Sequence, residues 1–279
     1  MTVVLALAVG AVTVTFLRLA GADLFAAPAL ARRNYREQKV PTGGGLLIVV
    51  AVLVVEAGRA VLGALGLGDE PGLTVSRSLM LFAVFGFGFL GLVDDVLGGE
   101  ETQGFRGHLG ALLRGRVTTG LVKLVGGAAV AVVLVATPGF ATGRRLVVDA
   151  VLIALAANLG NLLDRAPGRV IKVGGAAYIP LALVLGTGTV GVAIAPVMGA
   201  AFGLLGPDLR EQLMLGDTGA NVIGATLGLG VVLGLGDTAR TSVLIVLIVL
   251  NVAAELVSFS TVIERVAPLR ALDRLGRTT

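Results

Sequence analysis

Long apolar runs fill this chain, each bounded by charged or Gly/Pro-rich connections, and that pattern indicates membrane helices rather than barrel strands. A crossing needs about 20 apolar residues at about 1.5 Å rise per residue. Nine runs approach that length, over residues 2–20, 46–66, 79–93, 119–136, 146–163, 176–188, 190–206, 219–235 and 241–260. The expected fold class is therefore all-α: a polytopic membrane helical bundle of about nine transmembrane helices. It forms one integral membrane domain over residues 1–279, with the bundle at 1–260 and a tail at 261–279. Residues 176–206 could instead make one long tilted helix, but a break at Gly186-Thr187-Gly188 keeps the basic tail on the same side as the other basic connections.

Composition sharpens the class. Of the residues, 56% are hydrophobic and only 14% charged, and mean hydropathy is +0.95, whereas an ordinary soluble domain has roughly 45–50% apolar and 25% charged residues. Cysteine is absent and His108 is the only histidine, which excludes disulfides, thiolate metal sites and multi-histidine zinc sites. Any metal must be held by oxygen. The first run, with Ala-Pro-Ala-Leu-Ala at residues 27–31 behind it, resembles a cleavable signal, yet it lacks a basic leading region and is long, so it is expected to stay as a span.

Charge orients the bundle. With nine spans, one side carries Arg32, Arg33, Arg36, Lys39, Arg106, Arg114, Arg116, Arg165, Arg169, Lys172, Arg210, Arg265, Arg270, Arg274 and Arg277. The other holds only Arg77, Arg144, Arg145 and Arg240. The positive-inside rule then places the rich side in the cytoplasm, the N-terminus outside and the C-terminus inside. A pI near 10.1 at first suggests nucleic acid, but the basic residues alternate with spans and form no continuous stripe, so membrane lipids or phosphorylated substrates are the expected partners. Arg18, Arg59 and Lys123 lie near span ends, where they can snorkel.

Polar residues inside spans need partners. Glu56 and Arg59, at i and i+3, can pair with each other and read as structural. Asn251 and Glu255, at i and i+4 in the last run, suit either an interhelical hydrogen bond or a function.

Four polar clusters fall on the basic face. Lys39-Val40-Pro41-Thr42-Gly43-Gly44-Gly45 enters the second span, and its glycines either expose N–H groups to a phosphate or simply make a turn. Gly91-Leu92-Val93-Asp94-Asp95 ends the third span in adjacent carboxylates, which call for a divalent cation, a basic partner or a shared proton. Glu100, Glu101, Arg106 and His108 follow in the next connection, and Lys123 lies in the first turns of the fourth span. Asn158, Asn161 and Asp164, spaced three apart, share one helix face at the end of the fifth. Met214-Leu215-Gly216-Asp217-Thr218-Gly219-Ala220-Asn221 begins the eighth; taken alone, Asp217 there would be a helix cap. Together, three carboxylate positions, two lysines and two glycine loops suit an oxygen-lined Mg²⁺ site for phosphoryl transfer at the bilayer surface.

The order KVPTGGG, GLVDD, NLGNLLD, MLGDTGAN over residues 39–221 resembles the polyprenyl-phosphate N-acetylhexosamine-1-phosphate transferases, the MraY/WecA superfamily of glycosyltransferase family 4. That resemblance implies a UDP-sugar donor, a polyprenyl (undecaprenyl) phosphate acceptor, Mg²⁺, a cytoplasmic active face and a possible homodimer, in cell wall biogenesis. It implies that Asp94, Asp95 and Lys123 are catalytic, that Asp217 with Asp94 and Asp95 binds metal, and that Lys39 lies near phosphate. Asn158, Asn161 and Asp164 would line the nucleotide side. Two departures stand out. Where the family's third motif carries a second aspartate after Asp164, this chain has Pro167, and the family's histidine-rich loop near the C-terminus has no counterpart here. A non-catalytic relative that binds polyprenyl phosphate or scaffolds envelope assembly is therefore the alternative. A secondary transporter is disfavoured, because transporter sites lie near the membrane midplane and these polar residues cluster at one face.

Overall fold

The structure, a computed structural model, describes residues 2–25, 27–67, 72–98, 118–137, 139 and 142–278. Glu100, Glu101, Arg106, His108, Arg114 and Arg116 lie outside the described residues. In chain order the helices are α1 (Val3–Ala20), a single turn α2 (Ala22–Phe25), α3 (Gly44–Ala64), α4 (Val75–Leu97), α5 (Thr119–Ala136), α6 (Gly143–Leu163), α7 (Arg169–Leu185), α8 (Thr189–Leu209), α9 (Gly216–Gly234), α10 (Asp237–Leu256), α11 (Phe259–Arg265) and α12 (Ala267–Arg274). A small antiparallel hairpin, β1 (Ala31–Arg33) with β2 (Lys39–Pro41), precedes α3. Four of the long helices start with a threonine, Thr2, Thr74, Thr118 and Thr142, whose hydroxyl accepts the N–H three residues on and so satisfies one donor that the first turn leaves open.

Among the described residues eight helices, α1, α3, α4, α5, α6, α8, α9 and α10, are long and apolar enough to cross a membrane, so the chain has the make-up of a multi-pass membrane protein. The 17-residue α7 joins them in the bundle and starts at Arg169, about two turns before the expected 176. Residues 176–206 do divide in two: Gly186, with φ +54°, ends α7 in a left-handed conformation that other residues avoid, and α8 begins at Thr189. Helix α4 starts earlier and ends later than the expected 79–93, and Asp94 and Asp95 lie in its last turn, at the end of the helix as expected.

Helix α9 is the axis of the bundle. Within its most apolar stretch 78% is buried, against 11% for α10, and it packs on α3, α4, α6, α7 and α8. Small residues allow this approach from several sides at once. The tightest is at Gly45 of α3, which meets Gly219 of α9 backbone to backbone and donates its N–H to Leu215 O at 3.0 Å. A Cβ on residue 45 would overlap the Gly219 backbone. Gly45→Ala is thus expected to push the two helix starts apart and to cost about 1–3 kcal/mol, read as a lower thermal unfolding midpoint in detergent. A wild-type midpoint would contradict the close approach.

Two buried ion-pair groups close the end of the bundle formed by the C-terminus of α3 and the N-termini of α4, α6 and α10. Glu56 pairs with Arg59 at 2.9 Å, as its spacing suggested, and with Arg77 of α4 at 2.5 Å. Asp149 of α6 pairs with Arg240 of α10 at 2.9 Å and with Arg145 at 3.4 Å, and Arg145 also meets Asp237 at 3.0 Å. In the half of α10 that leads to the other end, Asn251 accepts from Asn158 Nδ2 at 2.7 Å and donates to Leu155 O and Leu247 O; this links α6 to α10. Of the two readings that its sequence left open, Asn251 takes the interhelical hydrogen bond.

Candidate active site

The antiparallel run of helices brings the C-termini of α4, α6 and α8 and the N-termini of α3, α5, α7 and α9 to the other end. There α4 supplies Asp94 and Asp95, α5 supplies Lys123, and α9 supplies Asp217. Lys123 Nζ lies 3.5 Å from Asp94 Oδ2 and is hydrogen-bonded to Asp217 Oδ2. Asp217 and Thr119 also neighbour Asp94. The side chains of Lys123, Asp94 and Asp217 are 16%, 24% and 26% exposed, so the cluster opens to solvent at the bundle's surface.

Asp95 has a different occupation. Its Oδ1 accepts the N–H of Asp217 at 2.9 Å, and its Oδ2 accepts the N–H and the hydroxyl of Thr218 at 2.9 and 2.6 Å. A carboxylate receiving the open donors at a helix N-terminus is a capping arrangement, here supplied across the bundle by a neighbouring helix. Expected beside Asp94 at phosphate and metal, Asp95 instead positions the start of α9, and with it Asp217. Gly91, one turn earlier, permits this by lying against the backbone of Asp217 and Thr218.

The donor set suits a hard divalent cation. Asp94 and Asp217 converge with only one lysine between them, which leaves negative charge at oxygen ligands. Mg²⁺ commonly takes one or two carboxylates and completes its shell with water and phosphate oxygens. Among the described residues no group of three His, Cys, Asp or Glu is arranged around a common point, because Asp95 turns to α9. Two carboxylates, Asp94 and Asp217, are the protein ligands that this geometry offers.

The glycine loop is placed beside the cluster but not as a phosphate cradle. Gly44 N–H donates to Met214 O at 3.1 Å and Gly45 N–H to Leu215 O at 3.0 Å, so these donors serve to join the starts of α3 and α9. The hairpin before them is fixed to the same end: Arg32 donates to Val96 O at 2.9 Å, and Met214 N–H donates to Pro41 O at 2.7 Å. Lys39 is exposed on β2 opposite Arg33 in register, with no ion pair among the described residues.

The triplet at the end of α6 is divided. Asn158 turns to Asn251, as above, and Asn161 is partly buried with no side-chain hydrogen bond among the described residues. Asp164, the residue that ends α6, faces the acidic cluster. Its carboxyl is pushed well above the usual carboxylate range, first by burial and then by the negative charges of Asp208, Asp217 and Asp95. Stability linked to that proton is full below the ordinary carboxylate pKa of about 3.9 and is lost as pH rises through the raised folded-state value. Asp164→Asn is therefore expected to match the wild type in acid and to be the more stable protein in alkali. The gain is about 1.4 kcal/mol for each pH unit over which the wild-type carboxyl resists ionising, measured as unfolding midpoints against pH in magnesium-free buffer. Equal midpoints at every pH would remove this account of Asp164.

Two features escaped sequence reasoning. Buried Asp208, near the end of α8, accepts Gly168 N–H at 2.8 Å and so caps α7; an aspartate after Pro207 closing an apolar run was the available signal. The other is the tail. Asp273 of α12 accepts two hydrogen bonds from Arg169, at 2.8 and 3.0 Å, Lys172 donates to the carbonyls of Leu272, Asp273 and Leu275, and Arg277 donates to Pro167 O at 3.0 Å. The segment that follows Asp164 is thus covered by the C-terminal residues.

Compared with known proteins, the chain matches no protein-family model and no curated protein.

Proposed function

We propose that this chain is a divergent polyprenyl-phosphate N-acetylhexosamine-1-phosphate transferase. It would cross the bacterial cytoplasmic membrane nine times, with the N-terminus outside and the Asp94 end cytoplasmic. The reaction is transfer of a sugar 1-phosphate from a UDP-sugar to polyprenyl phosphate for a cell-envelope glycan, with release of UMP. The observation that carries this reading is the meeting of Asp94, Lys123 and Asp217 from three helices at one solvent-open end of a membrane bundle. The orientation draws support from the opposite end, where three of the four arginines are held by Glu56, Asp149 and Asp237 and so add little free positive charge.

Each residue has a part that its position supports. Asp94 and Asp217 would hold Mg²⁺, which when bound neutralises diphosphate charge. Lys123, with its ammonium between them, would bind a phosphate oxygen and stabilise charge on the departing UMP as an acceptor phosphate oxygen attacks the donor's sugar-linked phosphorus in line. Asp95 keeps Asp217 in place. Asp164, at the end of α6, would lie on the donor side.

The second reading, a relative that binds polyprenyl phosphate without turnover, is favoured by one observation: at Pro167, where the family's second aspartate would stand, the carbonyl is taken by Arg277 of the tail. UMP release by purified protein with undecaprenyl phosphate, Mg²⁺ and a panel of UDP-sugars decides between the two. Release is expected from at least one donor; none from any, with polyprenyl phosphate still bound, would establish the second reading instead.

A further inference from the structure

The tail is folded with its polarity reversed. In α12 the one buried residue is Asp273, clamped by Arg169 and Arg277, while Val266, Leu269, Leu272 and Leu275 are 41%, 43%, 63% and 67% exposed. Leu269 and Leu272, at i and i+3, share one side of the helix, and Val266 and Leu275 flank its two ends. A water-soluble helix buries its apolar stripe and exposes its carboxylates; this one does the opposite, which is stable only if something apolar lies on the stripe.

Continuity says what that is. Helix α10 is among the least buried of the spans, and its last residues, Leu256 and the adjoining Val257, are 78% and 50% exposed. The lipid-facing surface of the bundle therefore runs directly into α11, which begins at Phe259 and exposes Val262. Around this apolar strip stand Arg265, Arg270 and Arg274, all exposed; Arg274 shares Glu264 at 2.7 Å, and Arg270 donates to the Glu264 carbonyl. An apolar stripe bordered by arginines and fixed at the end of a transmembrane helix has the make-up of an interfacial amphipathic helix on anionic headgroups.

We infer that residues 258–278 form a membrane-interface anchor, with the apolar stripe of α11 and α12 set into the headgroup boundary of the leaflet at the Asp94 end and its arginines on anionic lipid. Three cations, Arg169, Arg277 and Lys172, hold α12 to the bundle through Asp273 and the carbonyls of Leu272, Asp273 and Leu275. Burial works against ionisation of Asp273, but the hydrogen bond and charge of Arg169 and then Arg277 outweigh it and keep its carboxyl below the ordinary range. The clamp is complete above the ordinary carboxylate pKa and opens only as pH falls through that lower value.

The chain has no tryptophan, so Leu269→Trp places a single reporter on the stripe of the full-length protein, and Tyr35→Trp, on the exposed hairpin, supplies a water-facing control. Both are reconstituted in nanodiscs of anionic lipid. Trp at 269 is expected to emit to the blue of the control, to lose most of its fluorescence to lipids brominated near the headgroup, and to resist iodide. If Leu269→Trp does not fold, Leu272→Trp carries the same test. Emission and iodide quenching equal to the control would overturn the anchor by showing the stripe in water. Protection from both quenchers would overturn it too, in favour of a protein surface or a second copy.

Discussion

Asparagine at position 217 is expected to abolish UMP release, a loss of at least about a hundredfold, in a chain that unfolds at the wild-type temperature. The carboxyl group of Asp217 meets Lys123 and Asp94 and closes no gap between elements that asparagine could not also fill. The amide oxygen still accepts from Lys123; what is lost is a negative charge where cation and phosphate must be held. Asp95→Asn should behave differently. Both its oxygens receive backbone N–H groups of α9, and an amide can accept only one of them while its NH₂ faces the other. That leaves an unmatched donor pair, worth about 1–3 kcal/mol of stability, so Asp95→Asn should lose stability together with turnover. Side by side, turnover and melting midpoint separate the residue at the reaction from the residue that positions it. Activity retained by Asp217→Asn would end the assignment of this cluster as the active site.

The largest effect on stability is expected at Glu56. Glu56→Ala strands Arg77, whose side chain is 4% exposed, without its counter-charge. Removing one partner of a buried ion pair costs about 3–5 kcal/mol, because the desolvated charge remains. Arg77 keeps one hydrogen bond, to Gly72 O at 3.0 Å, which does not replace a carboxylate. Thermal unfolding in a single detergent measures the loss, and the double change Glu56→Ala, Arg77→Met should restore part of it by removing the stranded charge. Asp149→Ala should be milder: Arg145 keeps Asp237 and Arg240 keeps the Leu235 carbonyl. Equal destabilisation by the two alanines would show that the Glu56 group is no more desolvated than its counterpart.

Much of the architecture was legible in the chain because lipid imposes a length and a polarity on every crossing. The spans over 2–20, 119–136, 146–163 and 219–235 fall within a few residues of α1, α5, α6 and α9, and the pairing of Glu56 with Arg59 follows from a single helical turn. The members of the candidate site were legible as residues: Asp94, Lys123, Asp164 and Asp217 stand in separate helices, and their polarity in apolar surroundings marks each one. Their roles were less so. Adjacent aspartates are alike in sequence, yet successive helix positions point about 100° apart, so Asp94 faces Lys123 while Asp95 faces the backbone of α9. The same holds for Asn158 and Asp164 on α6, one drawn to Asn251 and the other to the acids.

By itself, then, the sequence determined that this is a membrane bundle of helices, about where each begins and ends, and which polar residues must find partners. Those properties depend on local composition and on the bilayer. Only the tertiary structure decided which partners they found: that Gly44 and Gly45 serve a helix contact, that Asp95 is a cap, that Asp208 and the tail lie over the segment after Asp164, and that α12 turns its leucines outward. Each depends on what another helix places opposite, across separations of up to 170 positions between Gly45 and Leu215, and local pattern carries no record of that.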